Sequence, residues 1–226
     1  MLILPPFEPA LWERRAAGHA PALENGDMHL WWWAEDAQPP QARRARIDRL
    51  LRATLAAYLD VPASELAFGR EDRGRPFLRH ADAPDFNLTD TRGGTLVAVC
   101  RGGRVGVDIE RHDRRLPMRA LARRWFAPSE ADALDALPED EARLAFLCLW
   151  TAKEASCKAT GTGIFDQRLQ AWQFDPGSVR PLPRALPPEA GAAAEWRFLR
   201  VAPSPAHTVV VACRGAVART AYIAVG

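Results

Sequence analysis

Apolar positions recur at helical spacing over residues 42–60, where Ile47, Leu50, Leu51, Thr54, Leu55 and Tyr58 share one face and arginines occupy the others. This is the pattern of an amphipathic helix, and Pro62 ends it. Upstream, Met28-His-Leu-Trp-Trp-Trp-Ala has the length and aromatic content of a strand, with bulk on both faces. Downstream, Phe86-Asn-Leu and Thr95-Leu-Val-Ala-Val-Cys read as short strands joined at Arg92-Gly93-Gly94, and Arg101-Gly-Gly-Arg turns the chain into Val105-Gly-Val-Asp-Ile-Glu. From Leu116 the period becomes helical: one segment before Phe126, a second starting at Ser129, and a long helix from Pro138 to Thr160 that Gly161 stops. A proline-rich loop over 175–191 precedes two last strands, 195–201 and 208–213.

The two halves therefore share an element order, and the chain reads as α+β. Thr95-Leu-Val-Ala-Val-Cys-Arg-Gly and Thr208-Val-Val-Val-Ala-Cys-Arg-Gly agree at five of eight positions with an offset of 113, half the chain. Equal spacing and matching order predict a duplication, with halves at 1–104 and 105–226 and a ligand cleft between them.

At 226 residues and 48% apolar content the chain can build a real core, which excludes disorder as its main state. Its 28 Arg and 2 Lys oppose 28 acids for a net charge of +2. That balance argues against a polybasic nucleic-acid arm, whose long-range field the acids would cancel. Cys100, Cys148, Cys157 and Cys213 form no CxxC pair and read as core thiols of a reducing compartment. Met1-Leu-Ile-Leu-Pro-Pro-Phe-Glu lacks a basic n-region and breaks its apolar run after four residues, so neither a signal peptide nor a membrane span is expected and the cytoplasm is the default.

Candidate chemistry comes from two segments. In Val105-Gly-Val-Asp-Ile-Glu the alternation sets Val105, Val107 and Ile109 on one side and Gly106, Asp108 and Glu110 on the other. Two strand positions hold the carboxylates roughly 6.6 Å apart at the backbone, close enough to converge on one cation. A half-exposed strand meeting water would show the same alternation. In the long helix, Glu154 and Lys158 fall within about 20° of Leu147, the centre of the apolar stripe. Charges there must pair or meet a ligand, because desolvating them alone costs several kcal/mol each. An i,i+4 bridge on an outer face is the structural alternative. The five histidines, His19, His29, His80, His112 and His207, show no ligand spacing and read as surface or loop residues, so no zinc site is expected. Carboxylates beside a Glu–Lys pair and many arginines suit a Mg²⁺-bound phosphate ester. No GxSxG elbow or P-loop is present.

Gly106-Val-Asp-Ile-Glu110, followed by Trp150-Thr-Ala-Lys-Glu-Ala-Ser-Cys-Lys158 and Gly161-x-Gly163, resembles the signature of the 4'-phosphopantetheinyl transferases. The resemblance runs from Arg43 to Gly163. With Gly74-Arg-Pro-Phe, Phe86-Asn-Leu-Thr-Asp-Thr and the duplicated halves, it is similar to the larger, monomeric class that activates peptide and polyketide synthases. The resemblance implies an α+β fold of two similar α/β-mixed halves related by pseudo-two-fold symmetry, with the active site at their interface. It implies Mg²⁺-dependent transfer of the phosphopantetheine arm of coenzyme A to a serine of an apo acyl or peptidyl carrier protein, of the holo-[acyl-carrier-protein] synthase type, releasing adenosine 3',5'-bisphosphate. Such an enzyme would be a cytoplasmic monomer in fatty-acid or secondary-metabolite synthesis, with neither nucleic acid nor membrane as partner.

By position, Asp108, Glu110 and Glu154 match the Mg²⁺ ligands, and Glu154 also matches the base toward the carrier serine. Lys158 would neutralise the leaving phosphate, with Lys153 as a further phosphate contact. Arg43, Arg44, Arg52, Arg75, Thr89, Asp90 and Thr91 match the nucleotide side, whereas Arg46 and Arg49 read as a solvated helix face. One departure stands out: the family pattern Asn-x-Ser-His-Ser is here Asn87-Leu-Thr-Asp-Thr91, with an acid at the His position. Asp90 would repel a 3'-phosphate unless protonated, turned away or bridged by Arg92 or Arg75, and so weaken discrimination against 3'-dephospho-coenzyme A. Leu116 to Phe126, with Arg114, Arg115, Arg119, Arg123 and Arg124, is the expected carrier face. A catalytically silent carrier- or nucleotide-binding module of the same fold would not need Asp108, Glu110, Glu154 and Lys158 intact, and an Arg-rich RNA-binding protein would leave its basic residues unopposed. The two lysines add to this reading, since both flank Glu154 in a chain that otherwise writes arginine, and an ammonium is not interchangeable with a guanidinium fork.

Overall fold

The computed structural model describes residues 7–36, 38–163, 168–178 and 180–225. In chain order the elements are β1 (Trp12–Arg15), β2 (Asp27–Ala34), α1 (Pro40–Leu59), β3 (Phe68–Arg70), β4 (Pro76–Leu78), β5 (Asp85–Thr91), β6 (Gly94–Cys100), β7 (Gly103–Arg111), α2 (Met118–Trp125), α3 (Pro128–Asp135), α4 (Glu139–Thr160), α5 (Arg168–Ala171), β8 (Gln173–Phe174), β9 (Pro183–Ala185), β10 (Trp196–Val201), β11 (His207–Gly215) and β12 (Arg219–Val225). Five strands form one sheet in the order β1-β12-β2-β6-β5, and three form another in the order β10-β11-β7.

The sheets account for the burial pattern. In β2 the three tryptophans alternate: Trp31 and Trp33 pack with Leu55 and Ala56 of α1, while Trp32 joins Met28 and Leu30 on the opposite face. That opposite face shares one cluster with Val105, Val107 and Ile109 of β7 and Val209 and Val211 of β11. The far side of the second sheet, Val210 and Ala212 with Trp196, packs on α4 together with residues of α2 and α3. Bulk on both faces of a strand is thus met by cover on both faces.

Each sheet contains the same run of connections. β2, α1 and the pair β5–β6 leave β6 between β2 and β5; β7, α4 and the pair β10–β11 leave β11 between β7 and β10. The self-matching octapeptides start in these two middle strands. The division at 104/105 expected from the sequence nevertheless does not separate the sheets. β12 crosses back to lie parallel between β1 and β2, so the chain closes with three strands and the last belongs to the first sheet. Its Ala-rich sequence, Arg219-Thr-Ala-Tyr-Ile-Ala-Val225, carries a weak strand signal.

The edges of the two sheets meet along β5 and β7 through side chains. The Val105 N–H donates to Asp85 Oδ2 at 2.7 Å and the Val107 N–H to Asn87 Oδ1 at 3.0 Å, and the Thr89 hydroxyl donates to Asp108 Oδ1 at 3.3 Å. Asp85 and Asn87 of β5 thereby satisfy backbone N–H groups of an edge that would otherwise be open, and Thr89 continues the seam through a side chain. α4 lies against β7 at Gly106, where a Cβ would run into the backbone of Ala155 and Ala159. The space beside the strand carboxylates is therefore filled by the helix. α4 ends at Gly161, whose φ of 71° is the left-handed conformation that glycine adopts without strain.

Two expectations are revised by burial. His29 and His207 are buried strand residues: His29 Nδ1 meets Tyr58 Oη at 2.8 Å, and His207 lies between Ser204 Oγ and the Arg92 carbonyl. Beyond its exposed first turn α4 is covered around most of its circumference, and Trp150, Glu154 and Lys158 form a half-buried stripe along an otherwise buried helix. The two charges thus face a cleft and lie off the centre of the packed face, because a second layer of helices covers the side that an isolated amphipathic helix would expose.

Candidate active site

The carboxyl ends of β5 and β7 and the last turns of α4 enclose a cavity of about 510 Å³, lined by Thr89, Asp90, Thr91, Asp108, Glu110, Arg114, Glu154 and Lys158 among others. The side-chain seam fixes its floor. Lys158 Nζ donates to Asp108 Oδ1 at 2.7 Å, to the Val107 carbonyl at 3.1 Å and to Thr89 Oγ1 at 3.4 Å, and lies 4.0 Å from Glu154 Oε2. Asp108 Oδ2 is buried without a partner. Glu110, nearly buried, is ion-paired with Arg114 from the following loop.

The electrostatics follow from this crowding. Burial, reinforced by the neighbouring Asp108 charge, pushes the Glu154 carboxyl up to about 7. Burial works against the Lys158 ammonium, but Asp108 and Glu154 outweigh it and raise its pKa. Among the described residues no three acids, histidines or cysteines converge as a ready ligand set for a metal ion, since Asp108 is turned onto Lys158 and Glu110 onto Arg114. The donors still fit a hard divalent cation in kind. They are carboxylate oxygens, one of them orphaned and buried, beside a third carboxyl that ionises reluctantly without a further positive charge.

The other expected site residues divide. Arg43 donates to Glu35 Oε2 at 2.7 Å and to the Thr91 carbonyl at 2.8 Å, and pairs with Asp90. Arg43 thus provides the bridge to Asp90 that the sequence assigned to Arg75 or Arg92, and Arg92 binds Asp113 at 2.8 Å. Arg43 and Arg44 line a second cavity of about 550 Å³ that has Leu88 and Asp90 in common with the first. Arg52 lines a third cavity of about 630 Å³, over the Phe68 ring and bonded to Asp48, away from the carboxylates.

Arg75 is buried with every nitrogen engaged, and this corrects its assignment as a free phosphate contact. Nε donates to the Lys158 carbonyl at 2.9 Å, Nη1 to Asp85, and Nη2 to Asp85 and the Val105 carbonyl. It staples β5, β7 and the end of α4 together.

Lys153 is corrected more sharply. It is fully buried on the opposite side of α4, donating to Glu130 Oε2 at 2.7 Å, to the Leu169 carbonyl at 2.8 Å and to the Trp172 carbonyl, so it reaches no substrate phosphate. One position along a helix turns a side chain by about 100°, enough to send neighbours 153 and 154 to different environments.

On the expected carrier face, Arg119 and Arg123 are paired with Asp132 and Asp135 of α3, which neutralises part of its charge. Sequence reasoning missed Glu35, a buried carboxylate that holds Arg43, Arg46 and Thr95. An acid directly after a buried aromatic strand was the available signal. Arg46, expected to be solvated, is one of its partners.

The sequence profile described as the 4'-phosphopantetheinyl transferase superfamily matches residues 104–210, which run from β7 through α4 into β11. The chain is 32% identical over 181 residues to the 4'-phosphopantetheinyl transferase HetI of Nostoc sp., covering 78% of this chain and 73% of that one. It is 34% identical over 152 residues to a putative 4'-phosphopantetheinyl transferase of Synechocystis sp., covering 62% of each. It is 28% identical over 119 residues to the 4'-phosphopantetheinyl transferase Sfp of Bacillus subtilis, covering 52% of this chain and 51% of that one. The chain belongs to the 4'-phosphopantetheinyl transferase superfamily.

Proposed function

We propose that the protein transfers the 4'-phosphopantetheine arm of coenzyme A to a serine of an apo acyl or peptidyl carrier protein, with Mg²⁺ as cofactor and adenosine 3',5'-bisphosphate as the other product. The observation that carries this reading is the placement of Asp108 and Glu110 at the end of β7 opposite Glu154 and Lys158 of α4, in one cavity. A Mg²⁺ held by Asp108, Glu110 and Glu154 would supply positive charge to the pyrophosphate. Glu154 accepts the proton of the carrier serine: burial and Asp108 raise its carboxyl in the metal-free protein, and a bound cation would favour the ionised form that a general base needs. The serine oxygen bonds to the phosphorus that carries pantetheine as the bond to the bridging oxygen breaks, and Lys158 stabilises the departing phosphate charge. Thr89 and Thr91 offer hydroxyls on the nucleotide side, where Arg43 and Arg44 line the adjoining cavity. In this reading the β2–β6 half holds the nucleotide, the β7–β11 half holds the metal and catalytic helix, and the enzyme acts as a cytoplasmic monomer. No helix among the described residues is long and apolar enough to cross a membrane.

The direct test incubates the protein with coenzyme A, Mg²⁺ and several unrelated apo carrier proteins and measures intact carrier mass. A gain of one phosphopantetheine is expected; no gain on any carrier with folded protein favours a silent binding module. Asp90 adds a substrate preference. With Arg43 shared between Asp90 and Glu35, the nucleotide end offers less net charge to a 3'-phosphate. Asp90→His is expected to raise kcat/KM for coenzyme A relative to 3'-dephospho-coenzyme A, and an unchanged ratio would refute the idea.

A further inference from the structure

We infer that Arg114 is an internal counter-cation that occupies Glu110 until a divalent cation displaces it, so that metal loading and release of the Arg114 guanidinium are one exchange. The inference rests on the proposed role of Glu110 as a metal ligand and adds a residue that neither the family signature nor the relatives' names assign.

The geometry favours exchange over a permanent bridge. Glu110 is only 6% exposed at its side chain, whereas Arg114 is 42% exposed. The carboxylate is therefore fixed, and the guanidinium, on a long stem at the rim, can leave. The loop that carries Arg114 is itself held: Asp113 accepts from Arg111 Nε and from Arg92 Nη2, each at 2.8 Å, and the Arg114 N–H donates to the Arg111 carbonyl at 3.2 Å. The backbone leading into Arg114 is thus anchored, while its half-exposed side chain is paired with Glu110.

Charge gives the direction of the effect. Among the described residues that line the cavity, the cations facing Asp108, Glu110 and Glu154 are Lys158 and Arg114. Lys158 is held by three oxygens and cannot easily move, so Arg114 is the cation that can yield its place. Removing its charge leaves three carboxylates with one partner, which strengthens the pull on a divalent ion. The guanidinium released by the metal would stand free at the cavity mouth, four residues before the start of α2.

The test titrates Mn²⁺ alone into the protein, read by loss of the free-ion electron paramagnetic resonance signal, in wild type, Arg114→Gln, Arg114→Lys and Glu110→Gln. Arg114→Gln is expected to bind Mn²⁺ about three- to ten-fold more tightly, the range of a partly exposed ion pair of about 1 kcal/mol. Arg114→Lys should stay near wild type, and Glu110→Gln should weaken binding. If Glu110→Gln weakens binding while Arg114→Gln leaves it unchanged or weaker, the exchange is wrong and the metal site stands. If Glu110→Gln has no effect, or no variant binds Mn²⁺, the proposed ligand set fails and the exchange falls with it.

Discussion

Both lysines sit where three oxygens converge on a point: Lys153 on Glu130 and two carbonyls, Lys158 on Asp108, Thr89 and one carbonyl. An ammonium presents three donors from one atom and a guanidinium spreads its donors along a plane, so an Arg-rich chain keeps lysine at these two places for a shared geometric reason. The roles differ. Lys153→Ala strands a buried Glu130 and is expected to lower stability by roughly 3–5 kcal/mol, as the loss of one partner of a buried pair does, read as a shift of the urea midpoint. Lys158→Arg is expected to impair transfer with little loss of fold, because the side chain is 29% exposed and lies at the cleft.

Glu154 supplies the pH dependence. Its pKa is raised from 4.5 to about 7 in the fold, so its share of stability is complete below the lower value and is lost as pH climbs through the upper one. Glu154→Gln should therefore stabilise the metal-free protein at pH 8 by up to about 3 kcal/mol, change it much less at pH 5, and abolish transfer. Thermal melts at the two pH values check the sign. The proximity of residues 153 and 154 in sequence concealed their divergence, since helical phase is visible in the sequence but the layer that covers each face is not.

At the scale of elements, the major helices and strands were legible because each carries period, length and a stop: Gly161 after α4 and the turn glycines around β6. The β5–β7 seam was not, because Asp85 and Asn87 look like ordinary polar positions until a second strand's N–H groups are placed beside them. The seam explains how the site is aligned. The same edge-to-edge contact that sets Thr89 beside Asp108 carries Asp90 and Glu110 past it, and Arg75 ties the seam to α4. Arg75→Lys keeps the charge but loses the bidentate hold on Asp85. It should cost about 3 kcal/mol or more by chemical denaturation and weaken coenzyme A binding only as far as the folded fraction falls. Weaker binding in fully folded protein would return Arg75 to the phosphate site.

At the scale of the molecule, the duplicated order of connections predicts two halves, but β12 makes the first depend on the end of the chain. A fragment of residues 1–104 lacks the strand that pairs with β1 and β2. It should be insoluble or bind a hydrophobic dye strongly, and co-expression with residues 105–226 should rescue it; a folded fragment with dispersed amide resonances would show that β12 is dispensable. The arrangement also sets a schedule for the newborn chain. Translation at about 5–20 residues per second leaves roughly 6–24 s between synthesis of residue 104 and residue 225. Throughout that interval the tryptophan strand presents an open hydrogen-bonding edge to the cell. The organism must either shelter that edge or make the polypeptide quickly, so yields of active protein should respond to chaperone supply and translation speed more than the stability of the finished molecule suggests.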